Sequence, residues 1–533
     1  MTASSKASKY IVGVFFGLLL LLGISLHRDY GVSWDEPTDH QNGAVNGRYV
    51  AELLFPDLLR GHPTLATIPP LANYADNDHG VLFELPAAAL GLLLTPGDSQ
   101  GYYFLRHLLI FCTFVLGIWA LYKLGSVYFN SWQLGLLVAL LLVLSPRMFA
   151  EAFFNGKDIP FMVCFTLGIY TLAQLLAYPT WLRALAHALA TAAAIDIRVP
   201  GVLLVAFTAG MVALEVLWPT EGRQYPRRHW LGLSAVYLGA TGVFVVAGWP
   251  ALWADPFTHF RMAYQSMSHF NWPTKTIYYL GHYEIVDQLP WHYIPVWVIS
   301  TSPLLYVAAA LVGLVASLSQ AYAGGKAWLT SSAGRLDLLL AGWLFGPGLI
   351  VVVLHSVVYN GWRHLYFIYP ALLLWAVRGL VFIIALGKSR YKAWQLGVVG
   401  LVVVELFHIA WQMTRLHPYE HLYFSTLPPD AVERLLERDY WALSYRQGLE
   451  WIAAHDTASQ ITINPSNRHP LYNNTLILNP ATRARFRYQP NKEARYFITN
   501  YRRHPQSYLD SMGTEVYVIR AGGIKILSVF RQP

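Results

Sequence analysis

Apolar runs of close to twenty residues recur from residue 10 to residue 413, and they narrow the folds open to this chain more than any other feature. A bilayer core takes roughly 20 helical residues to cross, and within it every backbone N–H and C=O must find a protein partner. The runs fall at residues 10–26, 102–124, 132–148, 159–178, 185–197, 199–218, 231–250, 291–318, 337–357, 365–386 and 394–413. They predict a polytopic α-helical membrane protein with about 11 transmembrane helices. Composition agrees, with 55% hydrophobic and only 13% charged residues, where a soluble domain carries about 25% charged. Cys112 and Cys164 both lie inside apolar runs, so neither a disulfide framework nor a cysteine metal site follows.

The weak join is 185–218, which reads either as two short helices or as one long helix that would invert every later loop. Charge placement decides it. With two helices and a cytoplasmic N-terminus, the inner loops collect Lys123, Arg183, Arg223, Arg227, Arg228, Lys326, Arg335, Lys388, Arg390 and Lys392. The outer loops then collect Asp35, Glu36, Asp76, Asp78, Glu151, Asp158, Asp255 and Glu284. That is a positive-inside pattern held along the whole chain. The net charge of +8 is thus a topology signal and not a nucleic-acid footprint. Lys6 and Lys9 precede the first run and no small-x-small cleavage site follows, so the run is read as an uncleaved span.

Residues 27–101 form a long first outer loop, with short helices expected around 44–60 and 80–94. Residues 414–533 are polar and soluble in pattern. One or two helices are expected over 431–454, β-type runs at 460–464, 475–478 and 494–498, and a hairpin of 516–520 with 524–530 turning at 521–523. The chain therefore divides into a membrane domain, 1–413, and a small extracytoplasmic α/β domain, 414–533, long enough to bury its own core.

Three charged clusters fall on the outer side. Asp35 and Glu36 follow the first span; an ionisable pair facing the bundle there is a functional hypothesis by default, the alternative being a helix end in water. Residues 145–160, S-P-R-M-F-A-E-A-F-F-N-G-K-D-I-P, bring Arg147, Glu151, Lys157 and Asp158. Residues 359–364, Y-N-G-W-R-H, bring Arg363 and His364. Each has a plainer reading: a helix cap at Asp158, a snorkelling Lys157, interface anchors at Arg363 and His364. Asp196 and Arg198 are read as a local ion pair closing a helical hairpin. The plain readings do not explain why acids and cations from distant segments converge on one membrane face. Such a set suits transfer from a lipid-linked phosphate: a carboxylate as general base, and Arg or Lys to neutralise the departing phosphate.

At these residues the sequence resembles the GT-C glycosyltransferases, and within them bacterial relatives of the dolichyl-phosphate-mannose protein mannosyltransferases. The resemblance rests on Asp35-Glu36, the A-E-A-F-F-N-G-K-D-I-P block (150–160), G-W-P-A-L-W-A-D-P (248–256) and Y-N-G-W-R-H-L-Y-F-I-Y-P (359–370). H-P-Y-E-H-L-Y-F-S (417–425) and D-Y-W-A-L-S-Y-R (439–446) resemble the outer extension of one bacterial subgroup. It implies a GT-C fold and inverting transfer of a sugar from a polyprenyl-phosphate donor to an acceptor hydroxyl on protein, lipid or glycan, at the outer face of a bacterial inner membrane. Asp35 is then the candidate general base and Glu36 its electrostatic partner. Asp158 would support substrate geometry. Arg363 would hold the donor phosphate, with Lys157, His364, Glu151 and Arg147 as further substrate-binding candidates.

The lumenal β-trefoil of the eukaryotic enzymes has no counterpart here, so the acceptor-recognising element differs. Residues 251–290, with Trp272, Tyr278, Tyr279, His282 and Tyr283 and with Trp291 at the edge, are a candidate acceptor loop or an interfacial anchor. A flippase of lipid-linked sugars is the rival reading and a membrane scaffold the second. Inverted hydropathy repeats would favour the flippase, and none is present. No cofactor requirement follows from the sequence. His40, His79, His269 and His282 lie near acids in outer loops and leave a divalent metal open, but none stands at a metal-ligand spacing.

Overall fold

The computed structural model describes residues 3–59, 67–222, 225–268, 275–387, 392–491, 493–502, 504–508 and 512–533. Arg223, His269, Trp272, Lys388 and Arg390, singled out above, lie outside them.

The first helix, α1 (Ala3–Leu26), lies at the periphery with most of its side chains exposed. The chain then crosses a short loop to α2 (Glu36–Leu54), which begins at the carboxylate pair, with Asp35 at the N-cap and Pro37 in the first turn. Proline pre-sets a helical start, so this helix opens eight residues earlier than the apolar pattern suggests. The remainder of the loop holds α3 (Pro56–Leu59) and α4 (Glu84–Leu94).

The bundle continues through α5 (Ser99–Tyr128), α6 (Trp132–Val143), α7 (Pro146–Phe154), α8 (Asp158–Ala177), α9 (Trp181–Ile195), α10 (Leu203–Leu217) and α11 (Arg227–Gly248). The expected span 132–148 is bent by 68° between α6 and α7. Ser145 there is extended, as the ring of a following proline demands. Past α12 (Pro256–Ser268) and the hairpin β1 (Thr276–Tyr279)–β2 (His282–Ile285) come α13 (Tyr293–Thr301) and α14 (Leu304–Thr330). The expected span 291–318 is thus two helices, parted at extended Ser302 before Pro303 for the same reason. Helices α15 (Ser332–Val353), α16 (Tyr369–Leu386, led by the 3-10 turn Arg363–Ile368) and α17 (Lys392–Leu416) complete the bundle. Among the described residues nine helices are long and apolar enough to cross a membrane, ten with the bent pair, and α9 is a shorter apolar helix. The protein is an integral membrane protein.

The ambiguous join resolves as two helices. His187 Nε2 lies 2.7 Å from Thr208 Oγ1, which a straight helix would place roughly 30 Å apart. Helices α9 and α10 are therefore folded back on one another.

The C-terminal part follows with α18 (Pro429–Leu435), α19 (Ser444–His455), β3 (Ile461–Pro465), α20 (Arg468–Thr475), α21 (Pro480–Arg485), β4 (Phe486–Tyr488), β5 (Tyr496–Thr499), β6 (Thr514–Ala521) and β7 (Ile524–Arg531). Its five strands order β4-β3-β5-β7-β6, with β3 parallel to both neighbours and β7 antiparallel to both. The expected hairpin is present, turning on Gly522 (φ 56°) and Gly523 (φ 90°), which suits a two-residue turn needing positive φ at both positions. The run 475–478 is not a strand. It ends α20 in turns, its apolar Ile477 and Leu478 buried. The strand β4 was not foreseen, because only three residues of it pair.

Candidate active site

The stretch 28–36 leaves the end of α1 and runs inward between the bundle and the C-terminal part. Its backbone is held almost entirely by side chains far along the chain. Arg446 donates to the carbonyls of Arg28 (2.5 Å) and Tyr30 (2.8 Å), and Tyr30 donates to Glu420 at 3.2 Å. Asn474 accepts from Val32 N–H and donates to the Val32 carbonyl, both at 3.1 Å. Asn473 donates to the carbonyls of Ser33 (3.1 Å) and Trp34 (3.3 Å). Gly31 is required here, since a Cβ would stand 2.6 Å from both Asn474 Oδ1 and the Leu443 carbonyl.

So held, the loop presents Asp35 to Arg363, whose Nη1 donates to Asp35 Oδ2 at 2.6 Å. The same Nη1 lies 3.9 Å from Asp158 Oδ2, and Arg198 Nη2 lies 2.6 Å from Asp158 Oδ1. Two carboxylates and two guanidiniums from four distant segments thus form one chain of charge. Although burial works against its charge, Arg363, Lys157 and Arg502 hold the Asp35 carboxyl below the usual carboxylate range. Asp35 keeps a third of its side-chain surface exposed (33%), whereas Asp158 is buried. Of the two, Asp35 is the more open to solvent.

Lys157 Nζ pairs with Asp39 Oδ1 at 3.2 Å, and its ammonium, despite burial, is raised by Asp39 and Asp76. Asn155 builds the N-G-K-D turn: it accepts from Asp158 N–H (2.8 Å) and donates to Glu151 (2.8 Å) and Asp158 (2.9 Å).

Glu36 faces away from Asp35. It accepts from Ser33 N–H at 2.7 Å and meets His107 Nε2 at 3.1 Å and Arg106 Nε at 3.6 Å, fully buried. Arg106 in turn grips Glu84 through both its Nη atoms, at 2.5 and 2.9 Å. Glu151 accepts from Tyr366 (2.6 Å) and Tyr440 (3.0 Å), and Arg147 lies against the Trp297 and Phe424 rings with Tyr440 Oη at 3.4 Å. These two form a buried network of their own beside the charge chain. His364 stands next to Arg363 in sequence, its ring edge-on to Tyr359 at 4.6 Å.

Several residues escaped the sequence reading. Arg198 does not pair with Asp196 but with Asp158 across the bundle. Asp196 packs against Gly80 and Gly248, makes no side-chain hydrogen bond or ion pair with a described residue, and is pushed up to about 8 by burial. Arg106 and His107 sit inside the apolar run 102–124, where an ionisable pair is itself a signal. Arg502 lies over the Trp34 ring at 5.0 Å and donates to Asn360 at 2.9 Å, a long-range convergence no local pattern announces.

Tyr278 and Tyr279 of the expected acceptor loop are buried. Tyr278 donates to the Arg434 carbonyl and Tyr279 meets His292, while Tyr283 and Trp291 are exposed. Asp76, Asp78 and His79 lie close enough to share one cation. Asn42 donates to Asp76 and meets His79, both at 3.0 Å, so this group already has protein partners.

No family model and no curated protein sequence matches the chain. Solved structures similar to it are membrane glycosyltransferases. ArnT from Cupriavidus metallidurans bound to undecaprenyl phosphate is 15% identical with a TM-score of 0.48, and the match covers 98% of both chains. The archaeal oligosaccharyltransferase AglB from Archaeoglobus fulgidus, in complex with an inhibitory peptide and a dolichol-phosphate, is 9% identical with a TM-score of 0.49 over 92% of this chain and 70% of that one. The arabinofuranosyltransferase AftD from Mycobacteria is 14% identical with a TM-score of 0.46 over 97% of this chain, and this chain spans 41% of it. The apo oligosaccharyltransferase from Archaeoglobus fulgidus, 8% identical with a TM-score of 0.48 over 77% of this chain, is spanned to 56%.

Proposed function

We propose that this protein is a GT-C-type membrane glycosyltransferase that moves a sugar, with inversion, from a polyprenyl-phosphate donor to an acceptor hydroxyl at the extracytoplasmic face. The observation that carries the reading is Arg363, which contacts partly exposed Asp35 directly and lies within ion-pair distance of Asp158, with Lys157 and Arg198 alongside. A donor phosphate would take Arg363 and draw it off Asp35. Losing that partner would raise the carboxyl's proton affinity as the acceptor hydroxyl arrives, so the base would be released by the substrate it serves. Asp35 would then accept the hydroxyl proton as the oxygen attacks the anomeric carbon. The bond to the phosphate oxygen breaks, and the guanidinium neutralises the departing charge. Asp158, fixed by Arg198 and Asn155, would keep Arg363 tethered to the site as it turns from Asp35 to the phosphate. The positive-inside pattern supports the extracytoplasmic placement of this face.

The test is sugar release from a panel of radiolabelled polyprenyl-phosphate sugars, beginning with undecaprenyl-phosphate pentoses and hexoses, by wild type and Asp35→Asn at matched expression. Turnover by wild type that falls by about 10²–10⁴ in the variant supports Asp35 as base. Equal turnover in both removes it. Transbilayer movement of an intact lipid-linked sugar, with no release from any donor in the presence of acceptor extracts, would instead support a flippase.

A further inference from the structure

Residues 461–533 contain eleven Lys and Arg against three Asp and Glu, a net +8 that equals the +8 of the entire chain. Residues 1–460 therefore sum to zero, and the surplus belongs wholly to the sheet-bearing end. Part of it converges on one place. Arg468 of α20, Arg483 of α21 and Arg487 of edge strand β4 line a cleft of about 480 Å3 together with Tyr472, Tyr488 and Thr475, and no carboxylate lines it.

The three guanidiniums are oriented by neutral groups. Arg468 lies over the Tyr488 ring at 4.7 Å, Arg483 donates to Ser99 Oγ at 2.6 Å, and Arg487 donates to the carbonyls of Ala484 (2.8 Å) and Phe486 (2.9 Å). Nearby ion pairs among the described residues go to Arg495 with Asp456 (3.1 Å) and Lys525 with Glu515 (2.5 Å), and none to the cleft's three arginines. A larger cleft of about 800 Å3 between β6, β7 and Tyr508 is lined by Lys525 and Arg531 together with Glu515, which pairs with Lys525, so a carboxylate already stands among its cations. The arginine cleft, by contrast, gathers three guanidiniums with no carboxylate in its lining.

We propose that this cleft binds a phosphate monoester carried by a sugar or by a lipid headgroup. Guanidinium grips phosphate bidentately, and a monoester bears about −1.5 to −2 at neutral pH, a match for several cations with no acid among them. Tyr472 and Tyr488 are exposed (62% and 42%) beside the arginines, and the Tyr472 ring is suited to the apolar side of a pyranose. Helix α20 lines the cleft with Arg468, Tyr472 and Thr475, and holds residues 32–34 with Asn473 and Asn474. An anionic group in the cleft is thus one short helix from Asp35. That this group belongs to the acceptor rests on the transferase reading above; the binding itself does not.

Purified full-length protein is titrated calorimetrically with glucose 1-phosphate and, in a second arm, with nanodiscs containing phosphatidic acid against phosphatidylcholine alone. The variant is Arg468→Ala/Arg487→Ala, leaving Arg483 and its bond to Ser99 intact. Arg468→Lys/Arg487→Lys and thermal unfolding of each variant control for folding. Saturable binding in either arm, weakened at least tenfold by the alanine pair and less by the lysine pair, supports the site. Saturation by glucose 1-phosphate points to a soluble phosphorylated sugar, and saturation by phosphatidic acid alone to a lipid headgroup. Binding in neither arm, or equal binding by wild type and the folded alanine variant, overturns it. Asp35→Asn is expected to bind as wild type does, so failure of the transferase reading and failure of this one are read separately.

Discussion

At the scale of single residues, the candidate site is held by charges that would be costly apart. Arg198→Ala leaves buried Asp158 with Arg363 as its remaining cation, at 3.9 Å. Breaking a buried pair from one side costs about 3–5 kcal/mol, and the expected result is a loss near the lower end, read as a fall in unfolding temperature in detergent. Adding Asp158→Asn should restore part of it, because the uncompensated carboxylate is then gone. His417 gives a pH signature. Despite partial burial, Glu420 (2.7 Å) and Asp29 (3.0 Å) raise its imidazole to about 9. A raised histidine stabilises the fold fully below its unfolded pKa near 6.5 and loses that contribution as pH climbs through 9. Between pH 6.5 and 9 wild type should therefore lose about 1–2 kcal/mol, after discounting for solvent screening, that His417→Gln does not. Parallel melting curves of the two proteins across this window would refute it.

At the scale of elements, proline decides where the expected spans break. Pro146 and Pro303 each force an extended residue before them, so two apolar runs become helix pairs. Both breaks were readable from the prolines, yet hydropathy alone masks them. The hairpin of β6 and β7 and the split of 185–218 were legible for local reasons: a Gly-Gly turn and an interrupting Asp and Arg. The charge chain was legible only in part. Asp35, Lys157, Asp158 and Arg363 stand out as ionisable groups at the ends of apolar runs, but Arg198 was assigned to its nearest acid because sequence distance is a poor guide to which buried charges meet. The loop that carries Asp35 depends on a glycine with no room around it. Gly31→Ala should cost about 1–3 kcal/mol by overpacking, and should lower sugar release in the transferase assay more than it lowers the unfolding temperature. An unchanged turnover would show that Asp35 tolerates a displaced loop.

At the scale of the whole molecule, the early loop at 28–36 and residues 414–533 are bonded to one another. Arg28, Tyr30, Val32, Ser33 and Trp34 are bonded by Arg446, Glu420, Asn473 and Asn474, and Arg502 reaches over Trp34. The role of residues 414–533, which no motif disclosed, includes holding this loop. The charge pattern predicts that this end lies outside the cytoplasm. Alkaline phosphatase fused after Pro533 should be active and a green fluorescent reporter dark; the opposite pair would place the whole site on the inner side.

The bond between Val32 and Asn474 joins residues 442 positions apart. A ribosome adding 5–20 residues per second needs roughly 20–90 s to cover that interval. Throughout that time the stretch bearing Asp35 has already emerged beside its first helix while the side chains that fix it do not yet exist. A half-made chain can therefore occupy the bilayer with every early helix inserted and still hold its acid in no defined position. A stretch made late is what fixes one made early.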